Sequence, residues 1–311
     1  MQDWWNTKRT MKAPSNNPYN NQPIGVFDSG IGGLTVVKEL IHHLPHESII
    51  YFGDTARIPY GTKSEKTIQR FALEDSIFLL DHQVKMVIVA CNTASAVALP
   101  LLQRILPVPV IGVIEAGAKA AIARTRNGRI GLIGTATTIR TRAYHNAIRQ
   151  LSQGVQILDQ ACPLLVPLVE EGWIEDDATY LITRRYLLHL QEHQIDTLIL
   201  GCTHYPLLKP VFRHILGEQV TLIDSGEETA RLVAERLKSL QLQAAPTMAP
   251  QHRFYISDLP YKFQEIGERF LQQTLPHVET IHFEQFLTGK GTEFWASYEQ
   301  LMLKKTEELP L

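Results

Sequence analysis

Leu198-Ile199-Leu200-Gly201-Cys202-Thr203-His204-Tyr205-Pro206 is an apolar run that ends on a glycine, with a cysteine at the break. Short apolar runs bounded by a turn signal read as buried strands of a parallel sheet. Pro206 with Leu207-Leu208 predicts a helix starting just beyond. Cys202 then sits at the C-terminal tip of a strand, facing a helix start. In open α/β sheets that tip is where ligands bind. The N–H groups and dipole of a helix start favour a thiolate there.

Val87-Ile88-Val89-Ala90-Cys91-Asn92-Thr93-Ala94-Ser95 repeats the design, with helix-like Ala96-Val97-Ala98-Leu99 after it. Two cysteines in matching positions of two α/β units predict two thiols meeting across one cleft, in mirrored settings.

Working outward, strand and helix patterns alternate. Pro23-Ile24-Gly25-Val26-Phe27-Asp28-Ser29-Gly30-Ile31-Gly32-Gly33-Leu34 reads as a strand, a glycine-rich turn and a helix start. Such a turn lets backbone approach a ligand and offers N–H donors to an anion. The Gly-Lys-Ser/Thr ending of a Walker loop is missing, and Asp28-Ser29 interrupts a dinucleotide fingerprint. A phosphate loop and a carboxylate loop both fit. Asp28 is a cap or a proton-handling group.

Ser48 to Asp54 is a second strand, and its loop Thr55-Ala56-Arg57-Ile58-Pro59-Tyr60-Gly61 is a candidate for substrate contact. A helix is predicted over 62–83 and a strand over Pro107 to Ile114, with an alanine-rich helix after Glu115-Ala116-Gly117. Arg129 to Thr135 restarts the pattern. Asp224-Ser225-Gly226 rhymes with Asp28-Ser29-Gly30. These echoes predict two similar α/β units. A helix over Glu227 to Leu240, a strand near Arg253 to Ser257 and a helix from about Tyr261 to Gln273 follow.

The chain has 311 residues, enough for two domains, with 44% hydrophobic and 20% charged residues. Thirty basic and 32 acidic residues give a net charge of −2, which argues against nucleic acid. No apolar run reaches membrane-spanning length, so no membrane partner is expected. Met1 to Gln22 is polar, carries Trp4 and Trp5, lacks a signal-peptide core and reads as a flexible extension. Three cysteines, Cys91, Cys162 and Cys202, fit a reducing cytoplasm better than a disulfide framework. Cys162, before Pro163 in an apolar run, reads as a buried inert thiol. Cys202-Thr203-His204 supplies at most two metal ligands, so no metal is expected. Of Glu170 and Glu171, one is expected to face a cleft and the other solvent.

Three reactions suit a cleft with two thiols. Acyl transfer with Cys202 as nucleophile and His204 as base leaves Cys91 without a role. Disulfide redox usually wants a Cys-x-x-Cys pair, which is absent. Proton transfer at carbon, with one thiolate removing a proton from one face and the other thiol returning one to the opposite face, uses both.

Phe27-Asp28-Ser29-Gly30-Ile31-Gly32-Gly33, Gly53-Asp54-Thr55-Ala56-Arg57-Ile58-Pro59-Tyr60-Gly61, Ala90-Cys91-Asn92-Thr93-Ala94-Ser95 and Gly201-Cys202-Thr203-His204-Tyr205-Pro206 together resemble the motifs of the glutamate racemase family. The likeness is close over Ile24 to Gly226. It implies cofactor-independent interconversion of L- and D-glutamate, supplying D-glutamate for peptidoglycan, with aspartate racemase as the near alternative. Cys91 and Cys202 would be the acid/base pair, with Asp28 assisting Cys91 and His204 assisting Cys202. Glu170 would lie near the second thiol, and Asp54 would be a further active-site acid. Substrate contacts would come from Asp28, Ser29, Pro59, Tyr60, Gly61, Cys91, Asn92, Thr93, Cys202, Thr203 and His204. The implied fold is two α/β domains with mainly parallel sheets flanked by helices, related by a pseudo-twofold, with the active site in the cleft between them. A first domain over 23–115 would be completed by 225–311, whose C-terminal part packs on it, around a second domain over 116–224. A homodimer, a cytoplasmic location and control by a peptidoglycan precursor acting through residues 1–22 complete the expectation.

Overall fold

The computed structural model describes residues 20–258, 263–275 and 277–290. Most of the N-terminal extension, with Trp4 and Trp5, lies outside the described residues, as do 291–311 and the predicted start of the 261–273 helix.

Among the described residues, ten strands form two sheets, all of whose pairings are parallel. The first contains β1 (Ile24–Asp28), β2 (Ile49–Gly53), β3 (Met86–Val89), β4 (Val110–Gly112), β9 (His252–Ile256) and β10 (Val278–Thr280), in the order β10-β9-β2-β1-β3-β4. The second contains β5 (Arg129–Gly134), β6 (Gln156–Ala161), β7 (Thr197–Gly201) and β8 (Thr221–Asp224), in the order β6-β5-β7-β8. Strands β1, β3 and β7 are buried along their whole length, which is why they read as unbroken apolar runs.

The two sheets share one topology. In each, the chain leaves the first strand for a neighbour on one side, then crosses to the other side for the third strand. The switch point falls between β1 and β3 in one half and between β5 and β7 in the other. The carboxyl ends at a switch point leave a crevice. Register keeps those ends level: Phe27 pairs with Val89 and Gly134 with Gly201. Cys91 follows β3, and Cys202 follows β7.

The helices relevant to the site are α1 (Leu34–His43), α2 (Glu65–Asp81), α3 (Asn92–Ile105), α4 (Val113–Arg124), α5 (Ala136–Arg140), α6 (Ala143–Leu151), α7 (Leu165–Glu170), α8 (Asp177–Glu192), α9 (Lys209–Leu216), α10 (Ser225–Leu240), α11 (Phe263–Leu271) and α12 (Phe283–Gly289). Helix α10 packs on both α1 and α4, and so joins the halves. One apolar cluster runs from Val26 and Leu34 through Ala118 and Tyr144 to Leu200 and Phe212. Among the described residues, no helix is long and apolar enough to cross a membrane.

Three local expectations change. The strand predicted over Pro107 to Ile114 is only Val110–Gly112, because Val113 already begins α4, its N–H donating to Ser95 Oγ at 3.3 Å. The helix predicted from residue 62 starts at Glu65, capped by Ser64 after a separate 3-10 turn over Tyr60–Thr62. Asp28 does not cap a helix. Its Oδ2 accepts the Gly30 N–H at 3.0 Å, as Asp224 Oδ1 accepts that of Gly226 at 2.9 Å. The rhyme in sequence is the same two-residue turn in space, although only Asp224 goes directly on to cap a helix.

Candidate active site

Between the two switch points lies a cavity of about 390 Å3 whose wall includes both Cys91 and Cys202. The glycine turn after β1 contributes Ser29, and the loop after β2 contributes Pro59, Tyr60 and Gly61. The start of α3 adds Asn92 and Thr93; the turn after β7 adds Thr203 and His204; α7 adds Glu170. Glu171, its neighbour, is exposed.

The halves meet closely here. A Cβ on Gly32 would stand 2.2 Å from Thr203 Oγ1 and 2.6 Å from the His204 ring. Only glycine lets the first turn sit against the second half. The Thr35 hydroxyl donates to the Thr203 carbonyl at 2.9 Å. On the opposite wall, Thr93 Oγ1 lies 2.9 Å from Thr135 Oγ1, which lies 3.0 Å from Thr138 Oγ1.

Cys91 is the N-cap residue of α3. Its sulfur accepts the Ala94 N–H at 3.4 Å and its thiol faces Ser29 Oγ at 3.5 Å. Burial, then the charge of Asp28, push this thiol up to about 12, against the pull of the Ala94 N–H and the Ser29 hydroxyl. These influences favour the thiol form of Cys91 over the thiolate.

Cys202 has different company. No regular helix begins at it; a 3-10 turn over Tyr205–Leu208 intervenes before α9. The mirrored settings expected of the two cysteines are therefore not found. Cys202 Sγ lies 3.8 Å from His204 Nδ1, and His204 Nε2 lies 2.9 Å from Glu170 Oε1. Burial works to lower the His204 value, but hydrogen bonds with Cys202 and Glu170 outweigh it and raise the imidazole to about 10. With a sulfur near one ring nitrogen and a carboxylate on the other, this raised value favours the imidazolium, in which both nitrogens donate.

Asp28 lies behind the wall rather than on it. It is buried with Oδ1 unpartnered. Burial raises its carboxyl, while the charge of His204 and the N–H groups of Gly30, Gly33 and Ser29 act the other way. It influences Cys91 and His204 by charge rather than by a hydrogen bond to either.

Asp54, expected as a further active-site acid, is not among the residues that line the cavity. Its Oδ2 accepts Arg57 Nε at 2.7 Å and the Tyr60 hydroxyl at 2.5 Å, and its Oδ1 accepts Ser257 Oγ at 3.0 Å. The carboxylate is engaged behind the loop by these three donors. Cys162 is buried away from the wall, where burial and the charge of Cys202 push its thiol up.

Thr135, from the turn after β5 that restarts the strand pattern in the sequence, lines the cavity. Two further contributors carry no local sequence signal. Helix α11 supplies two residues: the Phe270 ring stands edge-on to His204 at 5.1 Å, and Arg269 Nη1 donates to the carbonyls of Val169 at 3.3 Å and Glu170 at 3.5 Å. A guanidinium at the carboxyl end of α7 satisfies its free carbonyls and suits its dipole.

Comparison with known proteins agrees with this geometry. Residues 28–233 match the family model for Asp/Glu/hydantoin racemase. A glutamate racemase of Geobacter metallireducens is 52% identical over 84% of this chain and 97% of its own length. The structure of glutamate racemase from Francisella tularensis in complex with D-glutamate superposes with a TM-score of 0.80 at 43% identity, covering 86% of this chain and 99% of that one. That of the Escherichia coli enzyme, in complex with L-glutamate and the activator UDP-MurNAc-ala, gives 0.67 at 31% identity, covering 81% and 94%. With two parallel sheets of one core topology and a cavity holding two thiols already in place, the chain belongs to the Asp/Glu/hydantoin racemase family, among its glutamate racemases, and is an enzyme of the isomerase class.

Proposed function

We propose that this protein interconverts L- and D-glutamate by two-base proton transfer at the α-carbon, without a cofactor, and so supplies D-glutamate for peptidoglycan. The observation that carries the proposal is one cavity walled by two sulfurs with unlike partners. The imidazolium of His204 stabilises negative charge on the Cys202 sulfur. Cys91 holds its proton. With substrate between them, the Cys202 thiolate takes the α-proton, and the electron pair of the C–H bond passes into the adjacent carboxylate. The Cys91 thiol then protonates the opposite face and is left as a thiolate. The reverse enantiomer uses the complementary protonation state, with Cys91 ionised and Cys202 protonated. Proton exchange with water resets the pair.

Asn92, Thr93, Thr203 and Ser29 are the proposed substrate contacts, together with the Pro59-Tyr60-Gly61 wall. N–H groups at the start of α3 suit a carboxylate. Glu170 and His204 act together on the Cys202 side. Asp28 acts through its charge on the Cys91 side.

The test is racemisation of glutamate and of aspartate followed by circular dichroism, in the native protein and in Cys91→Ser and Cys202→Ser. Glutamate is expected to be turned over in preference, and each serine variant to lose at least about a hundredfold in kcat, the scale of general acid–base help. Preference for aspartate would overturn the substrate, and unchanged turnover in either variant would overturn the mechanism.

Control by a peptidoglycan precursor belongs to the same proposal, supported by the activator named with the Escherichia coli structure. Loss of activation on deleting residues 1–20 would support it, and identical kinetics with and without UDP-MurNAc-Ala in the full chain would end it. A homodimer in the cytoplasm is proposed as its working form, to be read by sedimentation.

A further inference from the structure

Tyr60 lines the cavity, and its buried hydroxyl lies in a charge cluster. That hydroxyl lies 2.5 Å from Asp54 Oδ2 and 2.9 Å from Asp75 Oδ2. A phenol has one proton to donate. Two carboxylates cannot both accept it, so one contact draws its proton from the carboxyl side.

Donor counting says which. Asp54 accepts from Arg57 Nε, Tyr60 and Ser257 Oγ. Asp75 accepts on Oδ1 from Arg57 Nη2 at 2.9 Å, and its Oδ2 faces Tyr60. Charge counting agrees. Arg57 is paired to Glu74 as well as to both aspartates, while Arg70, at 3.7 Å from Glu74, is itself exposed. A third ionised carboxylate on one buried guanidinium would be left uncompensated, which is costly.

We infer that Asp75 is a neutral carboxylic acid that donates its proton to the Tyr60 oxygen, and that it is a positioning residue for the cavity wall at Pro59-Tyr60-Gly61. Tyr60 donates in turn to Asp54, which is held by Arg57. Burial and the charge of Asp54 raise the Asp75 carboxyl, and burial raises the Tyr60 phenol, both shifts in the direction of the protonated form. The cluster is anchored on α2 by Asp75 and Glu74. Its guanidinium lies between two rings, 4.0 Å from the centre of Phe71 and 4.8 Å from that of Phe283. The wall it positions reaches the other half, where the Thr137 hydroxyl donates to the Gly61 carbonyl at 2.8 Å. A shift of Tyr60 therefore changes the width of the cleft.

The inference is independent of the reaction in its first readout. Infrared difference spectra of the native protein against Asp75→Asn, without substrate at neutral pH, are expected to show a protonated-carboxyl stretching band. The band shifts in deuterated water and is missing from the variant. Its absence from the native protein would overturn the inference whether or not the racemase reading stands.

The second readout is kinetic. Asn at this position is neutral and still donates, so Asp75→Asn is expected to stay within about twofold of native kcat/KM, whereas Asp75→Leu and Tyr60→Phe each raise KM by about tenfold, the scale of one lost buried hydrogen bond. The double variant should be no worse than the worse single one. Asp75→Asn as damaging as Tyr60→Phe would contradict a neutral Asp75. If Asp75→Leu does not fold, the comparison of Asp75→Asn with Tyr60→Phe still decides.

Discussion

Cys91 and Cys202 occupy the same place in two copies of one topology, yet their surroundings are opposite in charge. Around Cys91 stand a helix start, a serine and a buried carboxylate, and the thiol keeps its proton up to about 12. Beside Cys202 stands an imidazolium that persists to about 10. The difference teaches that the shared topology supplies position, while neighbours not repeated between the halves, Asp28 on one side and His204 with Glu170 on the other, supply charge. The proposed mechanism needs one sulfur ionised while the other keeps its proton, and unlike surroundings favour that pairing.

The largest break of this asymmetry is His204→Asn, which removes the charge beside Cys202. It is expected to lower kcat in both directions by about a hundredfold, at the scale of general acid–base help. Steady-state rates from each enantiomer check this. Glu170→Gln comes next, at about tenfold, since a charge-assisted hydrogen bond is weakened rather than removed. Its pH profile is more telling. His204 is raised above the ordinary 6.5, so what its charge contributes is complete below that value and is lost as pH climbs through about 10. Without the Glu170 carboxylate, the alkaline limb of kcat/KM should move toward lower pH. A limb that stays in place would show that Glu170 does not hold the imidazolium.

Arg269→Ala should cost a few-fold, about 1 kcal/mol of one hydrogen-bonded anchor, and should be non-additive with Glu170→Gln, because both act on the carboxyl end of α7. On the opposite side, Ser29→Ala removes one group that favours the Cys91 thiolate. A loss of about twofold to fivefold is expected, within the range of one weak sulfur hydrogen bond. Smallest is Thr35→Val, which breaks the hydroxyl contact to the Thr203 carbonyl. It should lower thermal stability by about 1 kcal/mol, read by calorimetry, with the pH profile unchanged.

Much of this molecule was legible in its residues. Apolar runs ending in small residues marked β1, β3, β5 and β7, because strands buried on both faces leave no polar position to blur them. The cysteines and the hydroxyl residues beside them marked the cleft. Asp28 and Asp54 looked alike, each at a strand tip, and only one lies next to the thiols. The cue that separated them was present: Arg57 and Tyr60, three and six residues on, draw Asp54 sideways through the 3-10 turn over Thr55–Arg57. The unlike settings of the cysteines were half legible, since a histidine two residues after Cys202 has no counterpart after Cys91. Arg269 and Phe270 could not be read locally. Arg269 reaches α7 from 99 positions away in sequence and Phe270 reaches His204 from 66, and only packing of α11 brings them there.

The central claim is that the two sulfurs act on opposite faces of one carbon. Its most direct test is initial-rate turnover of L-glutamate in deuterated water, with product and recovered substrate separated and weighed for α-deuterium. The account predicts deuterium in nearly all D-glutamate formed while the recovered L-glutamate keeps its protium. Product that retains the original hydrogen, or deuterium appearing equally in both enantiomers at first turnover, would point to a single base and contradict it.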